Sequence, residues 1–336
     1  MKILIVGAGL SGIVVARELS KCDKIESIDI IESRNHIGGN LYDYKNSKGV
    51  SIHKYGPHIW HTNDEKIHSY MSEFTEWIEY KHKVKALLDT GDYVTIPANQ
   101  ETKKKLNTLN YDVIETLFRP YSEKMWGITL EELNPDIINR VPIRDDMNEY
   151  YFPKDRFQGL PKDGYMKMLD NMLTSDKITI HLNTKFQDFD ATGYGHIFNS
   201  MPIDEHFDYS EGTLDYRSIK FHNMTIPNMN LPVPCINFTD TNIYTRVTDW
   251  KNFPGNPETG TSDVTFEEPC DFKDNNMLRF YPLGDDTNKA LYRTYSKMSK
   301  DNMSFIGRCG IYQYLDMDKA VKLSLHTVNL FIDKIQ

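Results

Sequence analysis

Residues 3–12 read Ile3-Leu4-Ile5-Val6-Gly7-Ala8-Gly9-Leu10-Ser11-Gly12, and a second apolar run, Ser27-Ile28-Asp29-Ile30-Ile31, closes in Glu32. A strand, a Gly-x-Gly-x-x-Gly turn, a helix from Ile13 to Lys21 and an acid ending the next strand make a dinucleotide-binding βαβ signature. Gly7 permits the tight turn out of the strand, and Gly9 lets a pyrophosphate approach the backbone. Gly12 lets the helix lie close to the sheet, and Ser11 stands beside it in the first turn, where helix amides face phosphate. Glu32 is placed to accept hydrogen bonds from a ribose.

The residues after Glu32 narrow the cofactor. The stretch Ser33-Arg34-Asn35-His36-Ile37-Gly38-Gly39-Asn40 is an Arg-x-x-x-Gly-Gly segment, typical of two-dinucleotide flavoproteins rather than nicotinamide dehydrogenases. Gly38-Gly39 lets the backbone fold against the cofactor, and Arg34 lies within reach of a phosphate or the adenosine. The predicted cofactor is FAD.

The whole chain sets outer limits. Its 336 residues suffice for two or three domains. A formal charge of −9 argues against nucleic acid or an anionic membrane as main partner. There is no apolar run of eighteen residues, and Met1-Lys2 leads straight into a strand, so neither a membrane span nor a signal peptide is expected. Cys22, Cys235, Cys270 and Cys309 lack metal-type spacing, as suits reduced thiols; a cytoplasmic, metal-free protein is expected.

Periodicity predicts an α/β fold: a Rossmann-like FAD-binding domain, a small helical domain and an antiparallel β-sheet domain. The FAD domain is expected from 1–65, 178–205 and 300–336. The helical domain takes 66–82 and 98–140, with a mobile loop near 127–146, and the sheet domain takes 83–97, 147–177 and 206–299. Ile67, Tyr70, Met71, Phe74 and Trp77 predict a helix over 64–80. Residues 83–96 predict a hairpin turning at Thr90-Gly91-Asp92. Residues 217–250 and 277–295 read as strand-rich, 252–274 as an exposed loop, and Asp316 as the cap of a C-terminal helix.

Three clusters carry further chemistry. His53-Lys54-Tyr55-Gly56-Pro57-His58-Ile59-Trp60-His61-Thr62 offers a His-x-x-His pair that no nearby carboxylate or thiolate completes as a metal site, and suits a loop lining a cofactor face. Arg119-Pro120-Tyr121-Ser122-Glu123-Lys124-Met125-Trp126-Gly127 closes a helix, and Arg140 follows beyond it. The third cluster, with Tyr151, Asn237, Arg246, Tyr281 and Tyr314, places tyrosines near arginines, which suits an anionic polyhydroxylated ligand.

These motifs, with Arg156-Phe157-Gln158-Gly159-Leu160-Pro161, Leu214-Asp215-Tyr216-Arg217-Ser218 and Ile236-Asn237-Phe238-Thr239-Asp240, resemble the UDP-galactopyranose mutase family, in the same order from first strand to last helix. The resemblance implies isomerisation of a UDP-hexose, galactose or N-acetylgalactosamine, between pyranose and furanose. N5 of reduced FAD would be the nucleophile at C1, with no net redox and an external reductant such as NAD(P)H or a reductase. It implies Arg140 and Arg246 on the diphosphate, with Tyr151, Tyr281 and Tyr314 bonded to the same phosphates and Arg156 also contacting substrate. Tyr121 would stack on uracil beside Ser122, Trp126 would flank the sugar, and Asn237 would contact the nucleotide. His58 and His61 would lie beside the flavin, and Arg308, Asp316 and Met317 would hold it with Asn40.

The chain also departs from that pattern. Roughly thirty residues of the family's helical domain, between the hairpin and Tyr111, are missing from this chain, which bears on an expected homodimer. Lys83 stands where an asparagine is expected, Ser122 replaces a threonine, and Asn199-Ser200-Met201 replaces a Thr-Gly. An FAD amine oxidase or desaturase shares the Gly7–Gly12, Glu32 and Gly38-Gly39 features and is the alternative.

Overall fold

The computed structural model describes residues 1–133 and 142–336. A five-stranded parallel sheet runs Ile178–His181, Ser27–Ile31, Lys2–Val6, His196–Asn199, Met303–Phe305. Ile3, Leu4, Ile5 and Val6 are all buried, the pattern of a strand covered on both faces. Helices Leu10–Ser20 and Met317–Ile335 pack against each other on this sheet, so the two ends of the chain meet. The helix Tyr165–Met172 packs on Leu10–Ser20 and starts at the Asp43 carboxylate, which accepts the amides of Tyr165 (2.7 Å) and Met166 (3.0 Å).

A seven-stranded sheet follows the order Tyr281–Pro282, Tyr216–Pro227, Thr261–Asp271, Arg246–Asp249, Cys235–Phe238, Val84–Leu87, Tyr93–Ile96. Every neighbour is antiparallel except Cys235–Phe238 with Val84–Leu87. Two helices, Gln100–Thr108 and Arg119–Trp126, extend from the hairpin that ends this sheet. The α/β class and both kinds of sheet are as expected, and so is the hairpin.

Several local expectations are corrected. The helix expected over 64–80 is Glu65–Ser72; Trp77–Glu79 is instead a strand paired with Phe157–Pro161, where Trp77 stacks on Trp60 at 5.3 Å. Residues Thr261–Asp271 form a central strand rather than exposed loop. Their acids suggest a surface, but Asp263 and Glu267 are buried and paired, the first with Asn46, Lys48 and Thr225 and the second with Arg246. The span read as strand-rich to 295 holds the helix Asp286–Ser296, started by Asp285 accepting the Asn288 amide. Asp316 does occupy the N-cap position of the last helix, yet its side chain caps no helix amide.

Candidate active site

The Gly7–Gly12 turn is built around close backbone approaches. Gly7 has φ +96, and a Cβ there would fall 2.0 Å from Ser200 Oγ. A Cβ on Gly12 would fall 2.1 Å from the Gly7 carbonyl oxygen. At Gly9 the nearest atom to an added Cβ is Gly39 Cα at 3.9 Å, so space beside the turn stays open, and Gly9 pairs with Gly38 in a parallel bridge. Among the described residues no side chain caps the helix Leu10–Ser20, which leaves its first amides for an anion. Ser11 is buried beneath Gly307.

Glu32 is buried at the end of its strand; Oε2 accepts the Ala8 amide (2.9 Å) and Oε1 the Arg34 amide (2.8 Å). Oε1 also accepts the Ser33 hydroxyl (3.3 Å), whereas Oε2 keeps a further lone pair, which suits a ribose hydroxyl. Arg34 reaches Asn40 Oδ1 (3.3 Å) and lies over the Tyr55 ring at 4.7 Å. An uncapped helix start, an open glycine face and a fixed acid fit a dinucleotide cofactor.

The antiparallel sheet supplies a second set of groups. Its register aligns Ala86, Asn237, Arg246, Glu267 and Phe221 across five strands, so their side chains share one face. Arg246 Nε (3.0 Å) and Nη2 (2.8 and 2.9 Å) grip the Glu267 carboxylate, which is 1% exposed. The pairing fixes the guanidinium plane and leaves Nη1 outside it. Asn237 Oδ1 is buried with no hydrogen-bond partner among the described residues. Such an acceptor costs about 1–3 kcal/mol until a donor reaches it.

Tyrosines and a second arginine close over this row. Tyr121 lies within the electrostatic reach of Arg246, Glu267, Tyr151 and Tyr281, and burial pushes its phenol pKa up. Tyr281 stacks on Tyr314 at 5.8 Å, Trp126 meets Tyr281 edge-on at 6.3 Å, and the Arg308 guanidinium lies 4.6 Å from the Tyr314 ring centre. Arg308 also clasps the carbonyls of Phe280 (2.7 Å) and Leu315 (2.8 Å), pinning Tyr281 beside the start of the last helix.

The histidine loop folds over the same row. Gly56 lies close enough that a Cβ would sit 3.2 Å from Glu267 Oε1. His58 Nδ1 bonds the Gly56 carbonyl (2.8 Å), so it carries the proton and Nε2 keeps its lone pair. Burial, with Arg308 and Arg246 nearby, lowers the His58 pKa to about 4. His61 Nδ1 bonds Asp155 (2.7 Å) and its ring stacks on Phe152 at 3.7 Å. A cleft of about 1000 Å³ opens beside His61, Asp155 and Asp316.

Four histidines held neutral by burial make the fold acid-sensitive. His53 and His82 are lowered to about 3, and His58 and His196 to about 4, each from 6.5. The unfolded chain therefore binds more protons between these values and 6.5, so stability is complete above about pH 6.5 and lost as pH falls below it. Each proton contributes up to about 1.4 kcal/mol per pH unit. Urea midpoints should fall steeply from pH 7 to pH 5; equal midpoints would rule out the buried neutral histidines.

The site residues are not all gathered here. Arg156 is exposed and paired with Glu65 (3.2 Å), next to Asp155 rather than in the arginine–tyrosine row. Ser122 follows Tyr121 on its helix, and Met317 packs against the core. Arg140 and the centre of the loop expected near 127–146 lie outside the described residues. Lys83 pairs with Glu149 (2.6 Å), whereas the neighbouring His82 is the buried group near Arg246 and His61. Sequence reasoning missed Glu267, which strand register sets opposite Arg246, and His82, whose carbonyl accepts the Tyr151 amide (2.7 Å).

Comparison with known proteins gives the family and the fold. A family model described as UDP-galactopyranose mutase matches residues 116–314, and one described as NAD(P)-binding Rossmann-like domain matches 5–74. The UDP-galactopyranose mutase of Mycoplasma pneumoniae is 31% identical, over 96% of this chain and 94% of its own. The dTDP-fucopyranose mutase of Escherichia coli is 30% identical, over 98% of each chain. A crystal structure of reduced UDP-galactopyranose mutase has the same fold, with a TM-score of 0.77 at 14% identity over 99% of this chain and 94% of its own. With a family model over more than half its length and relatives matching it end to end, this chain is an enzyme of the UDP-galactopyranose mutase family.

Proposed function

We propose that this enzyme interconverts the pyranose and furanose forms of a UDP-hexose, with reduced FAD and no net redox. The observation that carries this reading is the row Asn237–Arg246–Glu267 facing Tyr121, Tyr151, Tyr281 and Tyr314. An amine oxidase would have no use for such a row. When bound along Gly7–Gly12, Glu32 and Arg34, reduced FAD would supply the nucleophile at sugar C1.

Exchanging a six-membered for a five-membered ring needs C1 activated while the ring opens. The bond from C1 to the diphosphate therefore breaks and later re-forms. Negative charge builds on the departing diphosphate, and Arg246, held in one plane by Glu267, presents fixed donors to it. Tyr281 and Tyr314, braced by Arg308, offer phenol donors to the same charge. Arg140 is assigned the partner role. Neutral His58 adds no positive charge to the sugar side, and Trp126 bounds it.

Tyr121 is assigned to uracil. Uracil does not change during the reaction, so Tyr121→Ala should raise KM by the equivalent of about 1–3 kcal/mol and leave kcat near the original value. A fall in kcat with KM unchanged would remove Tyr121 from that role.

The relative named dTDP-fucopyranose mutase favours a second substrate, a dTDP-6-deoxyhexose. Dithionite-reduced protein incubated separately with UDP-galactopyranose, UDP-N-acetylgalactosamine and dTDP-fucopyranose, with products resolved by chromatography, decides among them. Conversion of a UDP-hexose without oxygen uptake is expected. Conversion of the dTDP-sugar alone would move the assignment to it, and oxygen uptake with an oxidised product would favour the oxidase alternative.

A further inference from the structure

The motif Leu214-Asp215-Tyr216-Arg217-Ser218 contains a half-buried cation that the chemistry above does not use. Arg217 Nε donates to the Met125 carbonyl (2.8 Å) and Nη2 to the Lys124 carbonyl (3.2 Å). These are among the last carbonyls of the helix Arg119–Trp126, which lack intrahelical partners and carry the negative end of its dipole. Arg217 makes no ion pair among the described residues, so its charge serves the helix end. Gly127 closes that end with φ +71, and a Cβ there would lie 2.8 Å from Arg217 Nη1. Across the sheet Arg217 stands opposite Tyr281, on which Trp126 rests edge-on.

Lys124, on the same helix, makes a matching clip on the other side. Its Nζ donates to the carbonyls of Tyr244 (2.8 Å), Asp240 (3.1 Å) and Phe238 (3.3 Å). Those carbonyls belong to the turn that joins Asn237's strand to Arg246's strand. An eight-residue helix is marginal by itself, so its position depends on such anchors.

We infer that Lys124 and Arg217 are positioning residues that fasten the helix carrying Tyr121 and Trp126 to the two sheet segments carrying Asn237, Arg246 and Tyr281. The inference rests on reading that row as the nucleotide-sugar site. Neither cation touches the reacting sugar. Both set the spacing between the Tyr121 ring and the sheet, and hence nucleotide affinity more than the chemical step.

The test uses the flavin-loaded enzyme with UDP itself as the probe. Lys124→Met and Arg217→Met should weaken UDP binding, measured by equilibrium dialysis, about tenfold or more. KM should rise in parallel while kcat falls less than threefold, with flavin content and visible spectrum as in the parent protein. Lys124→Arg, which can still donate to the turn carbonyls, should recover most of the affinity. UDP binding within twofold of the parent in Lys124→Met overturns the inference even if Arg217→Met fails to fold. Equal losses in Lys124→Met and Lys124→Arg overturn it as well. Failure of the parent protein to bind UDP overturns the nucleotide-sugar reading instead.

Discussion

Arg246→Met is expected to lose about 3–5 kcal/mol of folding stability, because it strands the Glu267 carboxylate in a buried position. The double variant Arg246→Met with Glu267→Met should recover most of that loss, since well-packed apolar side chains replace a buried pair at little or no cost. Activity should behave differently. Both variants lose the Nη1 donor that Glu267 leaves free to face the departing diphosphate, so kcat should drop about a hundredfold or more in each. Denaturant melts and saturating kinetics on the two proteins separate the effects. Near-parent turnover in either variant would show that Arg246 does not face developing charge. A double variant as unstable as the single would show that the stranded carboxylate is not the cause.

Gly12→Ala should cost as much in the turn that opens the first helix. Its Cβ would lie 2.1 Å from the Gly7 carbonyl oxygen, and two backbone segments cannot separate without opening the turn. Overpacking of this kind costs about 1–3 kcal/mol at ordinary core sites, and backbone against backbone is less able to relax. The variant should purify with less than about a tenth of the parent's flavin, since the phosphate-binding turn would open. Gly9→Ala is the informative partner, because its Cβ would meet only Gly39 Cα, at 3.9 Å. Gly9→Ala should therefore melt like the parent yet bind FAD more weakly, through loss of the approach a pyrophosphate needs. Full flavin content in Gly12→Ala would remove the turn from cofactor binding, and equal destabilisation of the two variants would remove the packing argument.

Much of the fold was legible because its signals are local. The Gly7–Gly12 turn, the acid at Glu32, the hairpin around Thr90-Gly91-Asp92 and the apolar stripe of the last helix each declare themselves within a few residues. Charge buried by pairing was not legible. Asp263 and Glu267 read as surface residues, and only the antiparallel register with Arg246 and the contacts to Asn46 and Lys48 explain their position inside. Nor was the outcome legible where period and partner compete: Trp77 fits a helical stripe, but stacking on Trp60 and pairing with Pro161 hold it in a strand.

The candidate site divides in the same way. Individual groups such as Tyr121, Arg246 and Tyr281 could be picked from motifs. That Glu267 orients Arg246, that Asn237 shares their face with an unsatisfied oxygen, and that Arg217 holds the helix bearing Tyr121 depends on contacts across long sequence separations.

Isomerisation of a UDP-hexose with its oxidation state unchanged is the activity on which every role assigned above depends. It can be checked on one preparation of the FAD-loaded protein, divided under anaerobic conditions into an oxidised and a dithionite-reduced portion, with UDP-galactopyranose as substrate. UDP-galactofuranose should form in the reduced portion only, over many turnovers, with the flavin still reduced at the end and no oxidised sugar present. Equal turnover by the oxidised portion, or flavin oxidation in step with substrate consumed, would refute that activity.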